Sequence, residues 1–159
     1  MANNRRPFSG MAVYSRIEFY PGYPYSRNSN GIEITIIRLI TAPHVQIFGI
    51  YRSPKVPLTQ MCHALSDILI SHSSQFNVFI GDFNINWLNN SERISLYNLF
   101  IRDHRYIQLV TEYTTDNKTC IDQIYTNIPI GHVKVHTLET YFTDHKAICA
   151  LIDSVNITF

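Results

Sequence analysis

Apolar positions along the chain follow two periods, and each predicts a different element. Over residues 32–40 β-branched residues dominate, with Ile32, Ile34 and Ile36 on one face and Glu33, Thr35 and Ile37 on the other. That alternation predicts a long strand, half or more buried. A second strand follows over residues 45–51 and stops at Ser53-Pro54, because proline cannot donate to a ladder. The short turn at Thr41-Ala42-Pro43 makes the two an antiparallel pair. From Leu58 the spacing changes to three and four: Leu58, Met61, Leu65, Ile68 and Leu69 define one face of an amphipathic helix ending at Ser71. Residues 76–80 form a compact apolar strand, and Gly81-Asp82-Phe83-Asn84 follows where that strand emerges into a loop. Ser91 is the expected cap of a second helix, with Glu92 in its first turn and Ile94, Tyr97, Phe100 and Ile101 as its apolar face up to about Arg105. Further strands are expected over residues 107–110, 120–126, 132–139 and 146–152. The apolar run at residues 10–15 also reads as a strand, and residues 20–30, rich in Pro, Gly, Ser and Asn, read as a loop.

Many strands, two isolated helices and hairpin-sized connections imply an α+β (α/β) layered sandwich of two largely antiparallel sheets, packed face to face with flanking helices. Regular βαβ alternation is absent, which excludes a Rossmann-like sheet. At 159 residues, with 45% hydrophobic and 16% charged positions, the chain is one folded domain. It divides into a polar segment at residues 1–9 and a domain at 10–159. Thirteen Lys and Arg against twelve Asp and Glu leave a net charge of +1, so contact with a polyanion must come from a local patch. Three scattered cysteines, Cys62, Cys120 and Cys149, suit no disulfide framework and no zinc site. No signal peptide and no run of about 18 apolar residues is present, so an intracellular chain without a membrane partner is expected.

The candidate chemistry lies at strand ends: Tyr51-Arg52, Asp82 with Asn84, Asp122, and Asp144-His145. If these ends share one rim, three carboxylates converge, and at an effective dielectric of about 20 and a separation of about 5 Å each pair repels by roughly 3 kcal/mol. Such a cluster calls for a cation, a shared proton or a histidinium. Oxygen donors without thiolate favour magnesium or manganese, and an ion beside a carboxylate and a histidine suits attack of water on a phosphodiester. Singly, each residue has a plainer reading: a turn at Gly81-Asp82, a buried ion pair at Asp122, a surface pair at Asp144-His145. His132 and His136, two histidines without a third ligand, are left out.

The ordered set changes that weighting. Val78-Phe79-Ile80-Gly81-Asp82-Phe83-Asn84, then Thr119-Cys120-Ile121-Asp122-Gln123-Ile124-Tyr125-Thr126, then Phe142-Thr143-Asp144-His145-Lys146-Ala147-Ile148 resemble the endonuclease/exonuclease/phosphatase family. Ile50-Tyr51-Arg52-Ser53-Pro54, Ile107-Gln108-Leu109-Val110 and Asp144-His145-Lys146-Ala147 look more narrowly like the apurinic-type endonuclease domain of non-LTR retrotransposons. The likeness runs from about Gly10 to Ile152. It implies a magnesium-dependent (or manganese-dependent) phosphodiesterase that nicks DNA, in the nucleus or cytoplasm. Asp82 would orient or deprotonate the attacking water and Asn84 would position phosphate or nucleophile. Asp144 would hold the metal, His145 would stabilise the scissile phosphate, Asp122 would fix the imidazole, and Tyr51 would touch the phosphate.

In that family an early Asn and a principal metal-ligand Glu lie before the part matched by residues 10–15, so the resemblance implies an N-terminally truncated sandwich. Glu33 lies inside the strand that follows the missing part and Glu18 sits in no matching motif, so neither is assigned as that ligand. Implied partners are DNA and, on a full-length protein, a preceding segment or a reverse transcriptase domain. The competing reading is an inactive relic or interaction domain that keeps the scaffold without the metal Glu. A phosphatase for small phosphorylated substrates shares the core, but no basic pocket favours it. Arg5, Arg6, Arg16, Arg27 and Arg52, interleaved with Tyr14, Tyr20, Tyr23 and Tyr25, read either as a phosphate-backbone patch or as a tyrosine-rich surface loop.

Overall fold

A computed structural model describes residues 11–72 and 76–153. Its main sheet has six strands in the order β1-β2-β3-β4-β6-β5, and a second sheet pairs β7 with β8. The strands are β1 (Tyr25–Ser29), β2 (Ile32–Leu39), β3 (Ala42–Arg52), β4 (Phe76–Asp82), β5 (Ile107–Gln108), β6 (Asp122–Thr126), β7 (Val133–Leu138) and β8 (Ala147–Ile152). Every pairing is antiparallel except β3 with β4, which the helix α1 (Leu58–Ser71) connects. A parallel pair needs such a crossover, since a tight turn can only reverse the chain. The α+β sandwich with flanking helices is therefore the observed fold.

Alternation along the strands sends side chains to two layers. One face of the main sheet carries Ile32, Ile34, Phe48, Ile50, Phe79 and Tyr125 and packs under the helices. There α1 buries Met61, Leu65, Ile68 and Leu69. Each such side chain removed from water contributes about 1.5–3 kcal/mol, which is why the helix holds with no side-chain cap at its N-terminus. Phe48 stacks on Phe79 with centroids 4.4 Å apart, and Phe100 stacks on Tyr125 at 4.1 Å, so aromatic rings tie the helical layer to the sheet. On the other face, Val133, Val135, Ile148, Ala150 and Ile152 of the small sheet join the core.

Four local expectations are corrected. Residues 11–15 form no strand, because an apolar run becomes one only with a ladder partner, and among the described residues none pairs with it; Gly10 lies outside them. β1 lies within the expected loop at residues 20–30; its five residues are all exposed, so no burial pattern announces it, and its pairing to β2 alone makes it a strand. The second helix, α2 (Asn90–Leu96), is capped by Asn89 and not by Ser91: the Ser91 amide donates to Asn89 Oδ1 at 3.0 Å, while Asn89 Nδ2 donates to Glu92 Oε1 at 2.7 Å. It continues as a π-helical segment (Tyr97–Asp103), and across the two Leu96 and Phe100 are buried while Ile94 and Tyr97 are exposed.

Candidate active site

Sheet register places the site. Glu33, Tyr51, Asp82 and Asp122 are successive cross-strand partners on β2, β3, β4 and β6, so all four side chains leave the same face of the sheet at one rim. That face is the one opposite the helices. His145 reaches the rim from the loop before β8, where an isolated bridge ties it to Thr115. Asp82, Asp122 and His145 each offer a ligand atom within 4.8 Å of the others, and they are the one such group found among the described residues.

Within the cluster every group has a defined partner. His145 Nδ1 donates to Asp122 Oδ2 at 2.9 Å. The Asn84 backbone amide donates to Asp82 Oδ1 at 2.8 Å and Asn84 Nδ2 to Asp82 Oδ2 at 2.9 Å, so one residue orients both carboxylate oxygens. Asn84 does this from the left-handed region, with φ of +50°, a conformation that Asn tolerates because its short side chain bonds locally. The same Nδ2 also donates to the carbonyl of Arg52 at 2.8 Å. Tyr51 lies beside Asp82 in the parallel register. A cleft of about 570 Å³, lined by Met11 to Tyr14 and by Ile37, Gly49 and Ile80, opens at Tyr51 and Asp82.

The electrostatics follow from this packing. Burial lifts the Asp82 carboxyl above its ordinary value, and the neighbouring Asp122 charge adds to the lift; Asn84, His145 and Arg52 act against it. For His145 burial pulls the imidazolium down, but the charge and hydrogen bond of Asp122, with Asp82 and Asp144, outweigh it and leave the ring above 6.5. Cys120, buried beneath the cluster and facing the Asp122 charge, is pushed up to about 12, so its thiol is a neutral core group. The other cysteines are also free.

The sequence-expected residues divide accordingly. Asp82, Asn84, Asp122, His145 and Tyr51 come together. Asp144 does not join the ligand group: it is exposed, and its carboxylate takes a hydrogen bond from Thr143 Oγ1 at 3.4 Å. Of the arginines grouped with tyrosines, Arg16 and Arg27 are exposed, Arg5 and Arg6 lie outside the described residues, and Arg52 is buried, so Arg52 leaves the basic patch. Glu33 is buried on the site row and accepts from Asn28 Nδ2 at 3.1 Å.

Thr114 was not singled out by sequence, yet it holds two arms of the site. Its Oγ1 accepts from the amides of Ile121 and Asp122, both at 3.1 Å, and its carbonyl accepts from the amide of Lys146 at 2.8 Å. The only sequence signal is the Thr-Thr-Asp-Asn-Lys-Thr run at residues 114–119, whose hydroxyls suit turn contacts. Thr114→Val keeps the volume but removes the acceptor of two part-buried amides, so a loss of about 1–3 kcal/mol is expected in urea unfolding. A midpoint unchanged from the parent would show that these bonds carry no stability.

The donor set fits a hard divalent cation. Two carboxylates and an imidazole meet at a partly buried rim, and the cleft mouth leaves room for the waters that magnesium or manganese retains. A cation there would also offset the Asp122 charge that adds to the burial lift of Asp82.

Rim and sheet together define the class: an α+β sandwich whose strand ends bring together a group of side chains able to hold a divalent cation. The fold is shared with an endonuclease domain and with two toxin structures. Among solved structures the chain is similar to the endonuclease domain of TRAS1, a telomere-specific non-LTR retrotransposon, at 16% identity and a TM-score of 0.58, covering 78% of this chain and 62% of that one. It is similar also to the cytolethal distending toxin of Actinobacillus actinomycetemcomitans, at 12% identity and a TM-score of 0.58 over 76% of this chain and 53% of that one. For the Haemophilus ducreyi cytolethal distending toxin the values are 15% and 0.52, over 80% and 56%. The chain thus spans between 53% and 62% of these three structures. No family model and no curated protein matches it. Among the described residues, no helix is long and apolar enough to cross a membrane.

Proposed function

We propose that this protein hydrolyses phosphodiester bonds in DNA with a divalent metal ion, as a nicking endonuclease. The convergence of Asp82, Asp122 and His145 carries this reading. Asp82, its two oxygens oriented by Asn84, takes a proton from the attacking water; the new P–O bond forms as the bond to the departing sugar oxygen breaks. His145, held protonated by Asp122, donates to a non-bridging phosphate oxygen and stabilises the charge that grows there. Tyr51, next to Asp82, contacts the same phosphate. The residues that would hold magnesium or manganese are Asp82 and Asp122, and the ion when bound would supply Lewis-acid stabilisation of the phosphoryl oxygens.

Two observations favour DNA over a small phosphate ester. Tyr113, Tyr141 and Phe142 are exposed in the loops that carry Asp122 and His145, and exposed rings beside a phosphate site offer stacking surfaces to bases. The TRAS1 domain, similar in fold, is named an endonuclease.

The test is plasmid nicking in magnesium and in manganese. The expected result is relaxed circles from the parent chain, and loss of at least about 100-fold in rate on chelation or in Asp82→Ala. A folded parent that leaves plasmid intact in both ions would overturn the reading and favour an inactive scaffold.

A further inference from the structure

Arg52 closes β3 with only 6% of its surface exposed, and its side chain lies on the helix face of the sheet, across from Ile32 and away from Asp82. Burying a guanidinium is costly unless its donors are used. Here no carboxylate lies within ion-pair distance of it among the described residues; the donors go to main-chain oxygens instead. Nε donates to the carbonyl of Phe83 at 2.8 Å, Nη2 to the carbonyl of Asn84 at 2.6 Å, and Nη1 to the carbonyl of Val56. In return the carbonyl of Arg52 accepts from Asn84 Nδ2. One side chain therefore joins the turn after β3 to the turn after β4, and both carbonyls of the Phe83-Asn84 pair rest on it.

We infer that Arg52 is a positioning residue that holds Asp82 in its working orientation by clamping the Phe83-Asn84 backbone. The inference rests on the catalytic role given above to Asp82. It runs through contacts already described: Arg52 fixes the two carbonyls, the carbonyls fix Asn84 in its left-handed turn, and Asn84 holds both oxygens of Asp82. The left-handed turn is what makes the clamp necessary. With φ at +50° the chain leaves the ladder at Asn84, so the Phe83 and Asn84 carbonyls find no strand partner and need a donor from elsewhere.

Arginine suits this task and lysine does not. A guanidinium presents five donors in a rigid plane and reaches carbonyls lying in three directions, whereas an ammonium donates from a single atom. Lysine at this position keeps the charge and one bond, and leaves the clamp open. The positive charge behind Asp82 also favours its ionised form, in keeping with its effect on that carboxyl.

A merely structural arginine and a positioning one differ in what their loss reaches. Arg52→Ala removes all three bonds and a buried stem, so it serves only as a measure of stability. Arg52→Lys is the deciding variant, studied as the whole chain well below its melting temperature, with amide hydrogen exchange read by NMR and nicking kinetics alongside. The expected result is faster exchange at the Asn84 amide, by about tenfold or more, with the Phe48 and Ile50 ladder amides unchanged. In the same variant kcat falls by about 100-fold while KM stays within about twofold, because a misplaced base slows chemistry without altering how DNA is held. Unchanged protection at Asn84, or a uniform loss across the sheet, would overturn the inference. If the parent itself does not nick DNA, the proposed function fails, and the exchange comparison still decides whether Arg52 sets the Asp82-Asn84 geometry.

Discussion

Gly81→Ala is expected to abolish stable folding. Gly81 has φ of +148°, and a Cβ built there would lie 1.9 Å from the carbonyl oxygen of Ile50, its partner on β3, and 2.9 Å from that carbonyl carbon. Both atoms belong to backbone, so no rotamer change relieves the overlap, and β3 and β4 must part at the centre of the sheet. Alanine at this φ is strained as well, whatever the space. A cost above about 4 kcal/mol follows, against a total stability of about 5–15 kcal/mol for a domain of this size. Since Gly81 immediately precedes Asp82, the same displacement pulls Asp82 away from Tyr51 and Asp122. Circular dichroism melts of Gly81→Ala and Gly131→Ala check this. Nothing lies within 4 Å of a Cβ at Gly131, so that variant is expected within about 0.5 kcal/mol of the parent. A Gly81→Ala chain melting near the parent temperature would refute the argument.

Asp122→Asn is expected to move the pH dependence of the proposed nicking activity and to reduce its kcat by about 100-fold near neutrality. Asparagine keeps an oxygen for His145 Nδ1 but not the charge. In the parent, burial opposes the imidazolium and the Asp122 charge overcomes it. Without that charge only Asp82 and Asp144 oppose the pull of burial, and the His145 midpoint falls below that of the parent. The proposed nicking reaction needs ionised Asp82 and protonated His145. The acid limb of the parent profile therefore lies above the ordinary carboxylate value of 3.8, and its alkaline limb lies above 6.5. In the variant the alkaline limb moves to lower pH. Stability carries the same sign: a histidine raised in the folded state contributes fully below 6.5, and the contribution is lost as pH rises through its folded value. Imidazole NMR titration of both proteins decides the matter. A His145 midpoint that does not fall in Asp122→Asn would show that the carboxylate does not set its charge.

Both results turn on contacts between residues distant in sequence, and that marks where reading the chain stops. α1 was legible because its apolar positions repeat over 14 residues at helical spacing, and β2 and β3 because β-branched runs end at turn residues. β1 was not, since five exposed residues have no burial pattern and become a strand only when β2 offers its edge. The second helix was legible as an element, but its face was not: local periodicity assumes one helical pitch, and the π-helical turn after Leu96 breaks that assumption.

At the site the residue types were legible and the roles only in outline. Polar groups at strand ends announce a rim, and the Asp82, Asp122 and Asp144-His145 segments supply the carboxylates and imidazole that such a rim can gather. The cross-strand register then decided which of them meet. It set Asp82 against Asp122, brought His145 to Asp122 from 23 residues away, and left Asp144 at the surface. Arg52 shows the limit most clearly. An arginine after a strand reads as surface charge, and only the return of the chain at Phe83 and Asn84, some thirty residues later, supplies the carbonyls that bury it. Periodicity and turn chemistry are local, so the chain alone determined its elements and its stock of reactive groups. Desolvation and hydrogen-bond geometry arise between elements, so tertiary packing decided which groups are oriented, which are charged and which lie buried beneath the rim.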